Sequence, residues 1–221
     1  LKDYFDMILQ DDKWGEDSFE KAERKMFKEA LETAKLKAGL NNDTVDMIIG
    51  GDLLNQIISA SFASKDFPMP FLGVYGACST ICESMLLGAC LIEGGFADNI
   101  LCATSSHFSS AERQYRFPLE YGSQRTPTSQ WTVTGAGCSV ISSEQAPIRL
   151  CSGTVGTIVD MGIKDANNMG AAMAPAAADT LCAFLKETGT QPKDYDLIVT
   201  GDLGKLGKEI LIDLMQEKGY D

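Results

Sequence analysis

Apolar and polar positions alternate along the chain in two rhythms. From Phe19 to Ala38, the residues Met26, Ala30, Leu31, Ala34 and Ala38 recur at the three-and-four spacing of one helix face, and Ser18 or Asp17 stands where a cap belongs. Met47 to Gly50 is a short apolar run and reads as a strand. After a stretch rich in Ser and Ala, Phe71 to Tyr75 reads as a buried strand, and Ser79 to Ile92 as a helix apolar on all sides, the kind expected at the centre of a layered fold. Asn99 to Ser105 and Trp131 to Ser142 complete the strands, with Gly135 and Gly137 allowing tight backbone approach in the last. Between them His107 to Gln130 is long, polar and rich in Arg, Pro and Ser, the mark of a functional or mobile loop. This order predicts stacked α/β layers with mainly parallel sheets and right-handed crossovers.

A repeat organises these elements. Gly39 to Leu53 reads G-L-N-N-D-T-V-D-M-I-I-G-G-D-L, and Gly189 to Leu203 reads G-T-Q-P-K-D-Y-D-L-I-V-T-G-D-L. Gly39 aligns with Gly189, Asp46 with Asp196, Ile48 with Ile198 and Gly51-Asp52-Leu53 with Gly201-Asp202-Leu203, while Leu31 and Leu181 match at the same offset. Each copy runs from a helix through a glycine able to take the left-handed turn into a short apolar strand. The period is far longer than a solenoid unit, so it predicts a duplicated half-domain. Residues 1–145 form the first half and 146–221 the start of the second, which stops early: the repeat partner of Cys78 would fall at position 228.

Composition narrows the function. At 221 residues and 44% hydrophobic content, the chain can bury a substantial core. A formal charge of -12 argues against nucleic acid, which needs a cationic face. Seven scattered cysteines and one histidine offer neither a disulfide framework nor zinc-ligand spacing, so most of the thiols are small core residues in a reducing compartment. No run reaches transmembrane length, and the acidic start, Leu1 to Ser18, has neither a basic leader nor an apolar signal core.

The chemistry concentrates at Val74-Tyr75-Gly76-Ala77-Cys78-Ser79-Thr80, where a strand passes through small residues into a helix. A cysteine there meets free backbone N–H groups and the positive end of the helix dipole, which favour thiolate over thiol. The plain alternative is a small residue chosen for packing. Asp52 and Asp202 stand at repeat-equivalent strand ends, where they cap a turn or helix rather than gather calcium, since neither lies in an EF-hand-like cluster.

The Cys78 turn within a duplicated α/β body resembles the thiolase fold of ketoacyl synthases and thiolases. G-D-L-L-N-Q (51–56), G-A-C-S-T (76–80), A-T-S-S-H-F-S-S-A-E-R-Q (103–114), F-P-L-E-Y-G (117–122) and M-G-A-A-M-A-P-A-A-A-D-T (169–180) more closely resemble the stage V sporulation protein AD family. That resemblance implies a non-catalytic component of the spore machinery that moves dipicolinic acid, as its calcium chelate, in sporulation and germination. It also implies a peripheral place on the forespore inner membrane beside membrane channel proteins, a homodimer and no cofactor. Cys78, Ser79 and His107 then line the pocket, Arg113, Arg116 and Arg125, with Lys164, supply charge for a dicarboxylate, and Met169, with Met161 and Met173, flanks its mouth. Taken singly, the arginines equally suit pairing with Glu112 and Glu120, the methionines plain core filling, and His107 a surface or capping role on a polar loop. Pro175 is expected in a first helical turn.

Two departures from the enzymes matter. Where condensing enzymes carry a catalytic His, this chain has Thr200-Gly201-Asp202-Leu203. Family members also extend beyond both ends of this chain. The competing reading is an acyltransferase with Cys78 as nucleophile; a third is a thiolase-like body kept as an assembly platform.

Overall fold

In the computed structural model, residues 2–115 and 127–220 are described, with backbone alone for 112–115. The chain divides into two compact units, Leu1–Tyr121 with Thr132–Leu150, and Gly122–Trp131 with Cys151–Asp221.

The first unit runs α1 (Phe19–Lys37), β1 (Met47–Gly51), α2 (Ile58–Ser64), β2 (Phe71–Gly73), α3 (Thr80–Glu93), β3 (Asn99–Ser106), α4 (Phe108–Tyr115) and β4 (Gly135–Ser142). Its sheet has the order β2-β1-β3-β4. β2, β1 and β3 are parallel, and β4 runs antiparallel to β3, pairing Asn99 with Ser142 and Ser106 with Gly135.

Ser18 caps α1, its hydroxyl accepting from Lys21 N–H at 3.3 Å, while Asp17 pairs instead with the Lys21 ammonium. The helix ends as Gly39 turns left-handed at φ +69°. The two-residue period of the strands then sorts side chains between two faces. Ile48, Leu101 and Ala103 pack with Phe27 and Leu31 of α1 and with Ala60 and Ala63 of α2. Ile49, Ile100 and Cys102 pack on the other face with Ile81, Met85 and Ile92 of α3. Phe27, Leu31, Ile48, Ile49, Ile100 and Leu101 are fully buried, each contributing about 1.5–3 kcal/mol relative to exposure.

Several elements depart from the sequence expectation. α2 arises in the Ser- and Ala-rich stretch, where Ser59, Ala60, Ala63 and Ser64 form its buried side; small residues carried the contact and left little hydrophobic periodicity. β4 begins at Gly135, leaving Trp131 half-exposed. Gly137 borders open space; the close approaches are in β1, where a Cβ on Gly50 would run into the Ala103 carbonyl. α3 is not buried all round. It sets a stripe of small residues, Thr80, Ser84 and Gly88, inward, while Leu87 is exposed.

The second unit holds α5 (Met169–Thr188) and α6 (Gly204–Glu217). Asn168 caps α5 by accepting from Ala171 N–H at 3.2 Å, and Gly189 ends it left-handed at φ +68°, matching Gly39. The helices touch backbone to backbone, Gly170 against Gly207, where a Cβ on either would clash. Pro175 lies inside α5 rather than in its first turn, so its missing N–H forfeits one helical bond. The second copy of the strand does not form. Among the described residues of this unit nothing pairs with Leu197, Ile198 and Val199, which are 76%, 42% and 77% exposed. Among the described residues no helix is long and apolar enough to cross a membrane.

Candidate functional site

Because β2, β1 and β3 are parallel, the segments that follow them emerge at one edge of the sheet, where open α/β folds place their sites. The segment after β2 carries the cysteine turn. Val74 N–H donates to the Gly50 carbonyl at 2.9 Å, and the Val74 carbonyl lies so close to Gly51 that any side chain there would strike it and crowd the Thr80 methyl. Two glycines of β1 thus seat the strand-to-helix turn. Ala77 is held at φ +48°, and Ala77–Ser79 forms a single 3-10 turn running directly into α3. Ser79 fixes the turn, its N–H and its hydroxyl both donating to the Gly76 carbonyl, at 3.0 and 2.8 Å. A left-handed alanine costs roughly 1–2 kcal/mol, a strain the surrounding bonds hold in place.

Cys78 and Ser79 are both exposed on this turn, at the N-terminal end of α3. The Glu83 carboxylate reaches back over Gly76 from the first turn of the same helix. Its charge complements the positive end of the helix dipole. The Thr80 hydroxyl is buried without a hydrogen-bond partner among the described residues.

His107 follows β3 at the same edge, about 10 Å from the β2 end if two strand spacings separate them. It is not on the surface. The ring is fully buried against Phe19, centroids 4.9 Å apart. Nε2–H donates to the Asp12 carbonyl at 2.7 Å, and Nδ1 accepts from Ser109 N–H at 3.1 Å. These partners fix a neutral tautomer with both nitrogens occupied. The expectation of a surface or capping His on a polar loop gives way to a pin that ties the N-terminal segment to the start of α4.

Of the other expected site residues, Arg113 lies in α4 with its side chain outside the described residues, as is that of Glu112. Arg116, Glu120 and Arg125 also lie outside them. Met169 opens α5 in the second unit, half-buried, and Lys164 is exposed in that unit.

Sequence reasoning missed a buried acidic pair behind this edge. Glu23 of α1 is fully buried; its Oε1 accepts from the Ser105 hydroxyl at 3.0 Å and its Oε2 from the Ser110 hydroxyl at 3.2 Å. Burial, reinforced by the charge of Asp52, pushes its carboxyl up to about 7. Asp52, 1% exposed, accepts from Leu54 N–H and Ala60 N–H, each at 2.7 Å, and burial raises its carboxyl too, against the pull of those bonds. The signal was present in the spacing: Glu23 stands four residues after Phe19 and four before Phe27, on the face that carries Met26.

Asp52 and Asp202 make the same local bond, a carboxylate oxygen accepting from the N–H two residues on, at Leu54 and at Gly204. Both act as caps. Among the described residues no cluster of three His, Cys, Asp or Glu side chains suits a metal ion.

A family model for Stage V sporulation protein AD (SpoVAD) matches residues 1–221. The Stage V sporulation protein AD of Bacillus subtilis (strain 168) is 44% identical over 220 residues, covering 100% of this chain and 65% of that protein. Among solved structures, the 3-oxoacyl-[acyl-carrier-protein] synthase III of Aquifex aeolicus superposes with a TM-score of 0.61 at 13% identity, over 90% of this chain and 66% of that one. An OleA of Xanthomonas campestris, bound with cerulenin, gives 0.66 at 16% identity, over 90% of this chain and 62% of that one. At such identities these enzymes share a fold with the chain: it is a thiolase-like α/β protein, spanning about two thirds of each. With the sporulation model matched from first residue to last, the chain belongs to the Stage V sporulation protein AD family.

Proposed function

We propose that this chain is the greater part of a non-catalytic dipicolinate-binding protein, working in sporulation and germination against the spore inner membrane beside the channel proteins of the same system, as a homodimer. The observation that carries the binding reading over catalysis is His107. A cysteine that attacks a thioester is activated by a base within hydrogen-bond reach or by a positive local field, and the first is wanting here: the one histidine of the sequence spends both ring nitrogens on Asp12 and Ser109. Thr200-Gly201-Asp202-Leu203, where the resemblance would place a second histidine, supplies none. The exposed Cys78–Ser79 turn offers a thiol and a hydroxyl at the sheet edge, and the family resemblance supports Arg113, Arg116 and Arg125 as counter-charges for a dicarboxylate.

Calorimetric titration of dipicolinate, with and without calcium, against the full-length protein tests this, beside mass spectrometry after incubation with acyl thioesters. Saturable heat with no mass increase on Cys78 is expected. A stable acyl adduct on Cys78 without dipicolinate heat would establish the acyltransferase reading instead, which the exposure of Cys78 at a helix start favours. Normal spore dipicolinate with Cys78→Ala, alongside absent heat, would point to an assembly platform.

A further inference from the structure

Four separate elements converge on Glu23. Asp52 faces it from the end of β1, Ser105 from the end of β3 and Ser110 from α4. α2 brings no titratable group, only the buried Ser59 hydroxyl, which is near enough to steady the Glu23 carboxylate yet meets no partner at standard hydrogen-bond geometry among the described residues. β4 packs along α1 as well, but its Cys138 lies in the apolar cluster and its thiol is kept neutral by burial. His107 stands at the start of α4, neutral in its bonds, and the side chains of Glu112, Arg113 and Tyr115 lie outside the described residues. No cation answers the two carboxylates among the described residues: the ion pairs of α1 engage Asp17, Asp66, Glu16, Glu32 and Asp6, on its other faces.

Two buried carboxylates that no described cation answers cannot both ionise cheaply. They are also unequal. Asp52 accepts from backbone N–H donors, which can bond only an acceptor oxygen and so oppose the rise that burial gives its carboxyl; Glu23 is held by serine hydroxyls, which bond the ionised form better yet can turn to accept from a protonated carboxyl. Ser110 has a second acceptor at hand, its hydroxyl lying 3.3 Å from the His107 carbonyl. The pair therefore has a proton-loaded arrangement, in which α1 is stitched to β3 and α4, and a discharged one, in which Glu23 and Asp52 repel across the same contact.

We propose that Glu23 and Asp52 form a proton-operated latch: with Glu23 protonated, α1 is closed onto the sheet edge that carries His107, and loss of that proton loosens α1 and α4 from it. This holds whether or not the protein takes dipicolinate, and it is tested without any ligand.

The test is amide hydrogen exchange on the full chain at pH 6 and pH 8, corrected for the intrinsic change in exchange rate, read over residues 22–27 and 108–111. With Glu23 near 7 when closed and near the ordinary 4.5 when open, protection there should fall about tenfold between the two pH values. Glu23→Gln, permanently neutral, should remain protected at both. Equal protection of the wild type at pH 6 and pH 8, or an unchanged pH dependence in Glu23→Gln, overturns the latch. Should Glu23→Gln fail to fold, Ser110→Ala serves: it removes a donor that favours the ionised form, so the midpoint of the protection change should move to higher pH. A midpoint that stays put overturns the proposal.

Discussion

The repeat places two aspartates in the same tripeptide and the same local bond, yet their surroundings assign them different energies. Asp52→Ala removes the acceptor for Leu54 N–H and Ala60 N–H, both in a buried setting, the second at the start of α2. Hydrogen bonds to a charged group contribute about 1.5–3 kcal/mol each, so the gross loss is about 3–6 kcal/mol. Relief of desolvation and of the repulsion with Glu23 offsets part of it, leaving a net cost of about 2–4 kcal/mol. Asp202→Ala gives up one bond, to Gly204 N–H, at an exposed site, and should cost about 1 kcal/mol or less. The two tryptophans allow each unit to be read alone, since Trp14 lies in the first and Trp131 in the second. Urea unfolding followed by fluorescence would use Asp52→Ala in a Trp131→Phe background and Asp202→Ala in a Trp14→Phe background. Equal midpoint shifts at a common slope would refute the reasoning, because they would mean that the shared motif, not burial, sets the cost.

Three further outcomes follow from the same contacts. Glu23 is raised above its ordinary 4.5 to about 7, so it favours the folded state below about pH 4.5, and that advantage is lost as pH rises through 7; denaturation curves should weaken by about 3 kcal/mol between pH 4.5 and 8 from this group, with Glu23→Gln flat over the interval. Gly51→Ala forces a Cβ onto the Val74 carbonyl and the Thr80 methyl, and should lower stability by about 1–3 kcal/mol while displacing the Cys78 turn, seen as a lower melting temperature together with weaker dipicolinate heat. Maleimide labelling at neutral pH should modify the exposed Cys78, Cys82, Cys90 and Cys151 first and spare Cys102, whose thiol burial pushes up to about 12; early modification of Cys102 on peptide mapping would contradict its packing against α3.

The parts of the fold legible in the sequence are those whose burial is periodic. Phe27 and Leu31 repeat at helical spacing and Ile48 and Ile49 form a two-faced strand, so α1 and β1 could be placed to within a residue or two. α2 was invisible because Ser59, Ala60, Ala63 and Ser64 bury a surface that is small rather than hydrophobic. The apolar run of α3 misled for the converse reason: its closest contact with the sheet is made by Thr80, Ser84 and Gly88, while its larger residues spread around the helix. Leu197 to Val199 carry strand chemistry as plainly as Met47 to Gly50, but a strand exists only when a neighbour accepts its hydrogen bonds, and that is not a property of the segment itself.

At the candidate site the same distinction decides what chemistry survives. Cys78 was legible because a small-residue turn between strand and helix has one backbone solution, and the structure supplies it with Gly51, Ala77 and the Ser79 bonds. His107 was legible as a residue and not as a role. A histidine after a strand looks the same whether its nitrogens face a cleft or are spent on Asp12 and Ser109, and only the packing of the N-terminal segment across it separates a base from a pin. Glu23 makes the reverse case. Written among charged residues of an amphipathic helix it reads as solvent-facing, yet it stands on the Phe19–Phe27 face, where its carboxyl must find hydroxyl donors or lose its charge. Titratable side chains on an apolar stripe therefore say more about this protein than the motif residues do, because burial leaves them few bonding partners, and those partners fix whether a proton is held.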